Sequence, residues 1–312
     1  MPVIAIYADP FTALPPQTDG TLRMAYAAQQ RGFEVVFFTT HDISLTPDGP
    51  QVAGLTVTLH ADYTALSQAP CTLQLNKAAF ILIRKDPPVD EGYINTLLML
   101  QLTAPHVPII NGPQALLTYR EKTLPLCFPA LTPPTLITTH RAAIEQFRRQ
   151  HPDIVIKPLN DFGGRGVVRV QPGEALNLSQ TKGPFVVQPF LPAVLAGEKR
   201  VVMFDGTPVL WLLKVPAEHD FRGNSAQGAR LTTCTLSAAE HQTCLDIGQT
   251  LKKNGIFFAG LDMIDGLVTE INFTSVGLFT GFKEFRAIGN IDIATLFWEH
   301  ALKAYPTLAN AP

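Results

Sequence analysis

The sequence predicts an α/β protein built from three lobes. Three observations lead there: a strand–helix–strand opening, a glycine-rich turn between two short apolar strands near the middle, and a later group of strands around one long amphipathic helix. At 312 residues the chain exceeds the usual single-domain length, so two or three packed lobes are expected rather than one core.

Residues 3–8 form a short apolar run, and 21–31 carry Leu22, Ala25, Tyr26 and Gln29 at helical spacing before Gly32. Strand character returns over 34–38. Residues 79–83 read as a buried strand, 93–102 as a helix, and 107–110 as a strand stopped by Asn111-Gly112-Pro113. A parallel open sheet fits this first lobe, residues 1–118. The second, 119–187, is a small α+β unit with a helix at 141–150, a strand at 154–157, a turn at 163–166 and its partner strand at 167–170. The third, 188–312, is also mixed: a strand at 185–188 leads into it, strands follow at 200–204, 209–215 and 268–272, and 238–254 is an amphipathic helix. Residues 216–231 lack apolar periodicity and read as a mobile loop.

Composition excludes several classes. Lys and Arg number 24 against 26 Asp and Glu, a net charge of −2, which gives no electrostatic reason to expect nucleic acid or an anionic membrane. Small-molecule partners are expected. Residues 1–8 lack a basic leading segment and read as a first strand rather than a signal peptide, and no run reaches membrane-spanning length. Cys71, Cys127, Cys234 and Cys244 are widely spaced, as buried thiols in a reducing cytoplasm would be. The eight histidines show no metal-ligand spacing and no hydrolase signature.

The candidate chemistry lies in three stretches. Asp161-Phe162-Gly163-Gly164-Arg165-Gly166 sits between two strands, where small residues let backbone N–H groups approach phosphate oxygens; an ordinary turn is the alternative. Lys157 ends the apolar run Ile154-Val155-Ile156, where a charge needs an anionic partner or must reach back to water. Lys122, after a helix candidate at 114–121, is either a second phosphate cation or a solvated helix end. Near the C-terminus, Asp262, Glu270 and Asn272 lie on two strands joined through Asp265-Gly266, with Glu270 and Asn272 on one face. Three hard oxygen donors suit magnesium bound to substrate phosphates better than zinc. Gln188-Pro189-Phe190-Leu191 offers a backbone edge to an adenine with Phe190 and Leu191 against the ring, and Glu198 an acceptor for ribose hydroxyls.

Taken in order, these residues resemble the ATP-grasp superfamily, and more closely the bacterial glutathione synthetases, nearly end to end. The specific pieces are Ile83-Arg84-Lys85-Asp86-Pro87-Pro88-Val89-Asp90, Asn111-Gly112-Pro113-Gln114, Lys157-Pro158-Leu159 with Gly163-Gly164, Leu191-Pro192-Ala193, Arg222-Gly223-Asn224, and Gly260-Leu261-Asp262 with Thr269-Glu270-Ile271-Asn272. The resemblance implies an N-terminal substrate-binding domain and two ATP-grasp subdomains with ATP between them. It implies Lys122 and Lys157 on phosphates, Glu198 on ribose, Asp262, Glu270 and Asn272 on two Mg²⁺ ions (Mn²⁺ being a substitute), and Arg200, Arg222 and Asn224 around the reacting centre. The implied reaction passes the γ-phosphoryl of ATP to the carboxylate of γ-glutamylcysteine, after which the amine of glycine displaces phosphate. Residues 216–231, with Arg230, match the family's lid, and a cytoplasmic homo-oligomer is expected.

Three places depart from the family pattern, one of them the glycine loop, which has Asn160-Asp161-Phe162 where Asp-Gly-small is common. After Asn272 comes Phe273-Thr274-Ser275-Val276-Gly277 where the family has valine, Thr-Ser and Pro-Thr, and the lid carries Gly228-Ala229-Arg230 for Gly-Gly-Arg. Ser275 adjoins the amine acceptor in the family, so a sister ligase with a different dipeptide or amine is the second expectation, and a nucleotide-binding protein without ligase activity a third. Arg84 and Asp86 have two readings: Arg84 at a strand's C-terminal end suits a substrate carboxylate, or the pair is a structural salt bridge at the Pro87-Pro88 turn.

Overall fold

The computed structural model describes residues 1–103, 107–178, 183–223, 228–277 and 292–306. Among these residues the strands form three sheets. In the first, β1 (Val3–Tyr7) lies between β2 (Glu34–Phe38) and β6 (Phe80–Ile83), both parallel to it, and β7 (Ile109–Ile110) runs parallel to β6. This is the expected parallel sheet. An antiparallel extension that the sequence pattern did not announce adds β3 (Ile43–Thr46), β4 (Gly49–Leu59) and β5 (Ala65–Gln74) beyond β2. β5 is exposed along most of its length, so it lacks the apolar alternation by which strands are recognised.

Helices cover both faces of this sheet. α1 (Gly20–Gln29) is capped by the Asp19 carboxylate, which accepts from the Leu22 N–H, and α2 (Glu91–Gln101) by Asp90, which accepts from Tyr93. α3 (Pro113–Thr118) has Pro113 in its first turn, where the missing N–H costs nothing. The second sheet is antiparallel, ordered β10 (Val168–Val170), β9 (Ile154–Pro158), β11 (Phe185–Pro189), β8 (Leu136–Thr138), with α4 (Arg141–Gln150) against it. Ile144, Ile154, Ile156, Val170, Leu176, Phe185 and Val187 give this lobe a core of its own.

The third sheet runs β14 (Arg230–Thr232), β13 (Thr207–Val215), β12 (Glu198–Phe204), β15 (Phe258–Ile264), β16 (Leu267–Asn272), antiparallel throughout. The end of the expected 216–231 loop is thus a strand, because Arg230 pairs with Val215. α5 (Ala238–Lys253) starts in a reciprocal capping box between Ser237 and Glu240. α6 (Ile293–Ala304), not foreseen from the sequence, packs on α1, with the Trp298 indole donating to the Met24 carbonyl at 2.8 Å. Two large cores each combine side chains of the first and third sheets, so these two lobes are one packed body, whereas the central lobe has a separate core.

Asn111 joins the two halves of that body. Its amide nitrogen donates to the carbonyls of Phe258 (2.8 Å) and Phe273 (2.6 Å), and its oxygen accepts from the N–H groups of Phe257 (2.9 Å) and Phe258 (2.8 Å). Asn111→Ala would orphan four buried backbone groups, each worth about 1–3 kcal/mol when left unpaired. A loss of several kcal/mol in urea unfolding is expected, with Asn111→Asp, which keeps the acceptor alone, intermediate; a change within error would remove the junction role.

Candidate functional site

The central and third sheets face each other across a cleft lined by both. Cross-strand register decides which side chains meet there. Glu198 lies opposite Lys214, Arg200 opposite Asp262, and Asp262 opposite Glu270, while Gly260 lies opposite Asn272. Directly paired residues share a face of the sheet, and residues two apart on one strand share it as well. Glu198 with Arg200, and Glu270 with Asn272, therefore line up on the cleft side together with Lys214 and Asp262.

These groups form a dense ionic cluster. Arg200 clamps Asp262 with two parallel hydrogen bonds, Nε to Oδ1 at 2.7 Å and Nη2 to Oδ2 at 2.8 Å. Lys214 Nζ sits 2.7 Å from both Asp262 Oδ1 and Glu198 Oε2. Asn272 Nδ2 donates to Asp262 Oδ2 at 3.0 Å and to the Gly260 carbonyl at 3.2 Å. Burial by itself would raise the Asp262 carboxyl, but Arg200 and Lys214 outweigh it and hold the group far below the usual carboxylate range. Burial would likewise lower Arg200, and Asp262 reverses that. Gly260 keeps the clamp in place, since a Cβ there would lie 3.1 Å from Arg200 Cδ and 3.3 Å from Val276 Cγ1.

A third cation stands beside Glu270. Lys122 Nζ is 3.5 Å from Glu270 Oε1 and donates to the Asp161 carbonyl, so it spans from the third sheet to the glycine-rich turn. In that turn Gly163, Gly164 and Gly166 have φ of 65°, 75° and 65°, a left-handed course that side chains with a Cβ resist. Arg165 stacks on the Phe162 ring at 4.0 Å. From the other side Arg222 Nη1 approaches the Gly164 carbonyl at 3.4 Å, and Asp220 holds the Arg222 guanidinium at 2.7 Å. Hydrogen bonds from Arg222 and from two backbone N–H groups bring the Asp220 carboxyl down to about 2, so this pair is complete above the ordinary aspartate range and is lost only as pH falls towards 2.

The opposite end of the cleft is apolar. Val155, Phe190, Val194 and Ile264 form a buried cluster with Val167, Leu191 and Phe221 against it. Arg169, itself paired with Asp153 at 2.6 Å, lies over the Phe190 ring at 3.5 Å. A flat apolar slot continuous with a basic, glycine-lined end is the shape and charge distribution a nucleoside polyphosphate requires.

Comparison with known proteins agrees with this geometry. Residues 121–288 match the prokaryotic glutathione synthetase ATP-grasp domain, and residues 3–116 the N-terminal domain of the same enzymes. The chain belongs to the prokaryotic glutathione synthetase family. Its relatives include glutathione synthetases of Prochlorococcus marinus, 36% identical over 92% of this chain and 94% of the relative, and of Rhodopseudomonas palustris, 33% identical over 95% and 96%. The fold is shared with the ATP-grasp ligase PsnB bound to a minimal precursor (TM-score 0.62, 19% identity, 96% and 98% of the two chains) and with D-cycloserine synthetase DcsG (0.63, 13%, 97% and 99%). It is an ATP-grasp, ATP-dependent carboxylate–amine ligase, of a class that uses ATP with Mg²⁺ and small-molecule substrates.

Within this family member, Lys122, Lys157, Gly163, Gly164, Gln188, Phe190, Leu191, Glu198, Arg200, Arg222, Asp262, Glu270 and Asn272, singled out from the sequence, all line the one cleft. Asn224 lies outside the described residues, as do 278–282 of the divergent acceptor-side stretch. Four candidates lie elsewhere. Arg84 is buried and donates to Thr21 Oγ1 and the Val276 carbonyl, each at 3.3 Å, while the Ser275 hydroxyl is 3.5 Å from the Arg84 carbonyl. Asp86 is exposed, and the ion pair beside it at the Pro87-Pro88 turn is Lys85–Asp9 at 2.9 Å. Arg230 is exposed on β14. Gly260, in contact range of both Arg200 and Val276, places the Arg84 group next to the cleft's inner end.

Sequence reasoning missed Lys214, the second cation on Asp262. The signal was present, a lone lysine in the apolar strand Leu210-Trp211-Leu212-Leu213, and it is the same signal that marked Lys157. It also missed Glu121, whose carboxyl is raised by burial and by the neighbouring Glu270.

The donor set fits Mg²⁺. Among the described residues no three His, Cys, Asp or Glu side chains cluster as a metal cage; two carboxylates and an amide suit an ion that completes its shell with phosphate oxygens and water. Asn272 turns its nitrogen to Asp262 and Gly260, which directs its oxygen away from them. Asp262 is the constrained member, because both of its oxygens already accept two hydrogen bonds.

Proposed function

We propose a residue-level reading of the ligase reaction, with γ-glutamylcysteine as carboxylate substrate, glycine as amine and glutathione, ADP and phosphate as products. Its main support is that the ionic cluster, the glycine-rich turn and the apolar slot share one cleft. Phe190, Leu191 and their apolar neighbours hold the adenine, with Gln188 and the backbone after it at its edge, and Glu198 takes the ribose hydroxyls. Lys122, Lys157 and the N–H groups of Gly163 and Gly164 take the phosphates. Asp262, Glu270 and Asn272 hold two Mg²⁺ ions, for which Mn²⁺ substitutes; when bound, the metal neutralises charge on the transferring phosphoryl group. Lys214 has Glu198 as an equal partner, so it can release Asp262 when a cation arrives.

Arg200, Arg222 and Asn224 surround the reacting carboxylate, and Arg84, Asp86, Arg230 and Ser275 contact the dipeptide and the amine. The substrate carboxylate oxygen attacks the γ-phosphorus as ADP leaves; the glycine amine then attacks the acyl carbon, phosphate departs and the amine loses its proton. Positioning and charge neutralisation by these cations carry the rate. Closure of 216–231 over Gly164 keeps water from the acyl phosphate. The division into residues 1–118, 119–187 and 188–312, a cytoplasmic location and a homo-oligomer complete the reading; among the described residues no helix is long and apolar enough to cross a membrane.

The test is phosphate release from ATP and Mg²⁺ with γ-glutamylcysteine, with and without glycine, with product mass measured in the same tubes. Glycine-dependent phosphate together with glutathione is expected. Turnover with another amine but not with glycine would instead favour the sister-ligase reading that Val276-Gly277 raises.

A further inference from the structure

β16 is the edge strand of the third sheet and carries Glu270 and Asn272. An edge strand has no neighbour on one side to fix its backbone. Here, among the described residues, the Leu131 carbonyl accepts from the Val268 N–H at 2.8 Å near the start of the strand, and Glu121 holds the end that carries the donors. The Glu121 carbonyl accepts from the Ile271 N–H at 3.1 Å, and Glu121 Oε1 accepts from the successive N–H groups of Phe273 and Thr274, both at 2.9 Å. Two consecutive N–H groups converging on one oxygen make a small concavity for an acceptor, and here the acceptor is supplied by the chain itself.

We propose that Glu121 is a positioning residue for the metal-donor strand. Its carbonyl fixes the peptide between Glu270 and Asn272, and its carboxylate fixes the exit immediately after Asn272, so both donors keep their orientation towards the cleft. The next residue, Lys122, reaches Glu270 from the same segment, so one dipeptide both aligns the donors and places a cation beside them. The proposal rests on the reading that Glu270 and Asn272 hold Mg²⁺.

Calorimetric titration of the full chain with ADP, without and with Mg²⁺, tests both and separates them. In the wild type Mg²⁺ should tighten ADP binding; absence of that increment overturns the metal reading and this proposal with it. Given the increment, Glu121→Ala should leave metal-free ADP affinity unchanged and weaken the Mg²⁺-dependent part by about 10- to 100-fold, the usual effect of losing a group that orients a metal ligand. Glu121→Gln, which retains an acceptor oxygen at the same reach, should restore most of it. A Glu121→Ala protein that melts earlier yet keeps the full increment would show an edge cap only and overturn the proposal. If the alanine variant does not fold, Glu121→Asp, charged but one methylene shorter, must lose the increment in its place.

Discussion

Asp262→Ala is expected to abolish turnover and to lower unfolding stability by about 3–5 kcal/mol, the usual cost of removing one partner from a buried ion pair. Asp262 is 4% exposed and accepts both hydrogen bonds of the Arg200 clamp, so its removal strands the buried Arg200 guanidinium while Lys214 keeps Glu198 at 2.7 Å. Urea unfolding of the variant measures the stability term, and phosphate release the catalytic one. Replacing Asp262, Arg200 and Lys214 together by apolar residues of similar volume should recover much of the stability and none of the turnover, because the desolvation penalty disappears with the charges. A single alanine variant as stable as wild type would mean that the cluster is hydrated and the clamp weak. The pH dependence has a definite sign. The Asp262 carboxyl lies below its unfolded value near about 4, so its contribution is complete above that pH and declines only as pH falls through the folded value.

Glu270→Ala should separate function from folding. Among the described residues its carboxylate has one ionic partner, Lys122 at 3.5 Å, and that lysine retains the Asp161 carbonyl when Glu270 is cut back. Removing the glutamate also relieves repulsion with Glu121, so the net stability change should stay within about 1–2 kcal/mol. Turnover should fall by about a thousandfold or more, since a metal donor supports several kcal/mol of charge stabilisation in the transition state and each 1.4 kcal/mol is about tenfold. Phosphate release at saturating Mg²⁺, with circular dichroism on the same sample, is the measurement. Substantial residual turnover in a folded variant would take the metal role away from Glu270.

The candidate site was legible where side-chain chemistry conflicted with its local pattern. Lys157 in an apolar strand, three glycines in a strand connection, and Glu270 and Asn272 spaced by two each break a rule that packing alone would keep, and such breaks concentrate at functional sites. Lys214 breaks the same rule and was passed over. Glu121 breaks none, because its function lies in accepting two N–H groups from residues about 150 positions away, and nothing in its neighbours encodes them.

By itself the sequence determined the local elements, the parallel β-α-β core, the three-lobe order and the list of candidate phosphate and metal groups, since hydrophobic period, capping residues and turn glycines are properties of short windows. Only the tertiary structure decided which of these groups meet. Strand register brings Arg200, Lys214 and Asp262 into one cluster, Asn111 and α6 fuse the first and third lobes into one body, and Glu121 secures the edge of β16. Those contacts join residues far apart in the chain, and their partners are chosen by packing and register rather than by any local preference.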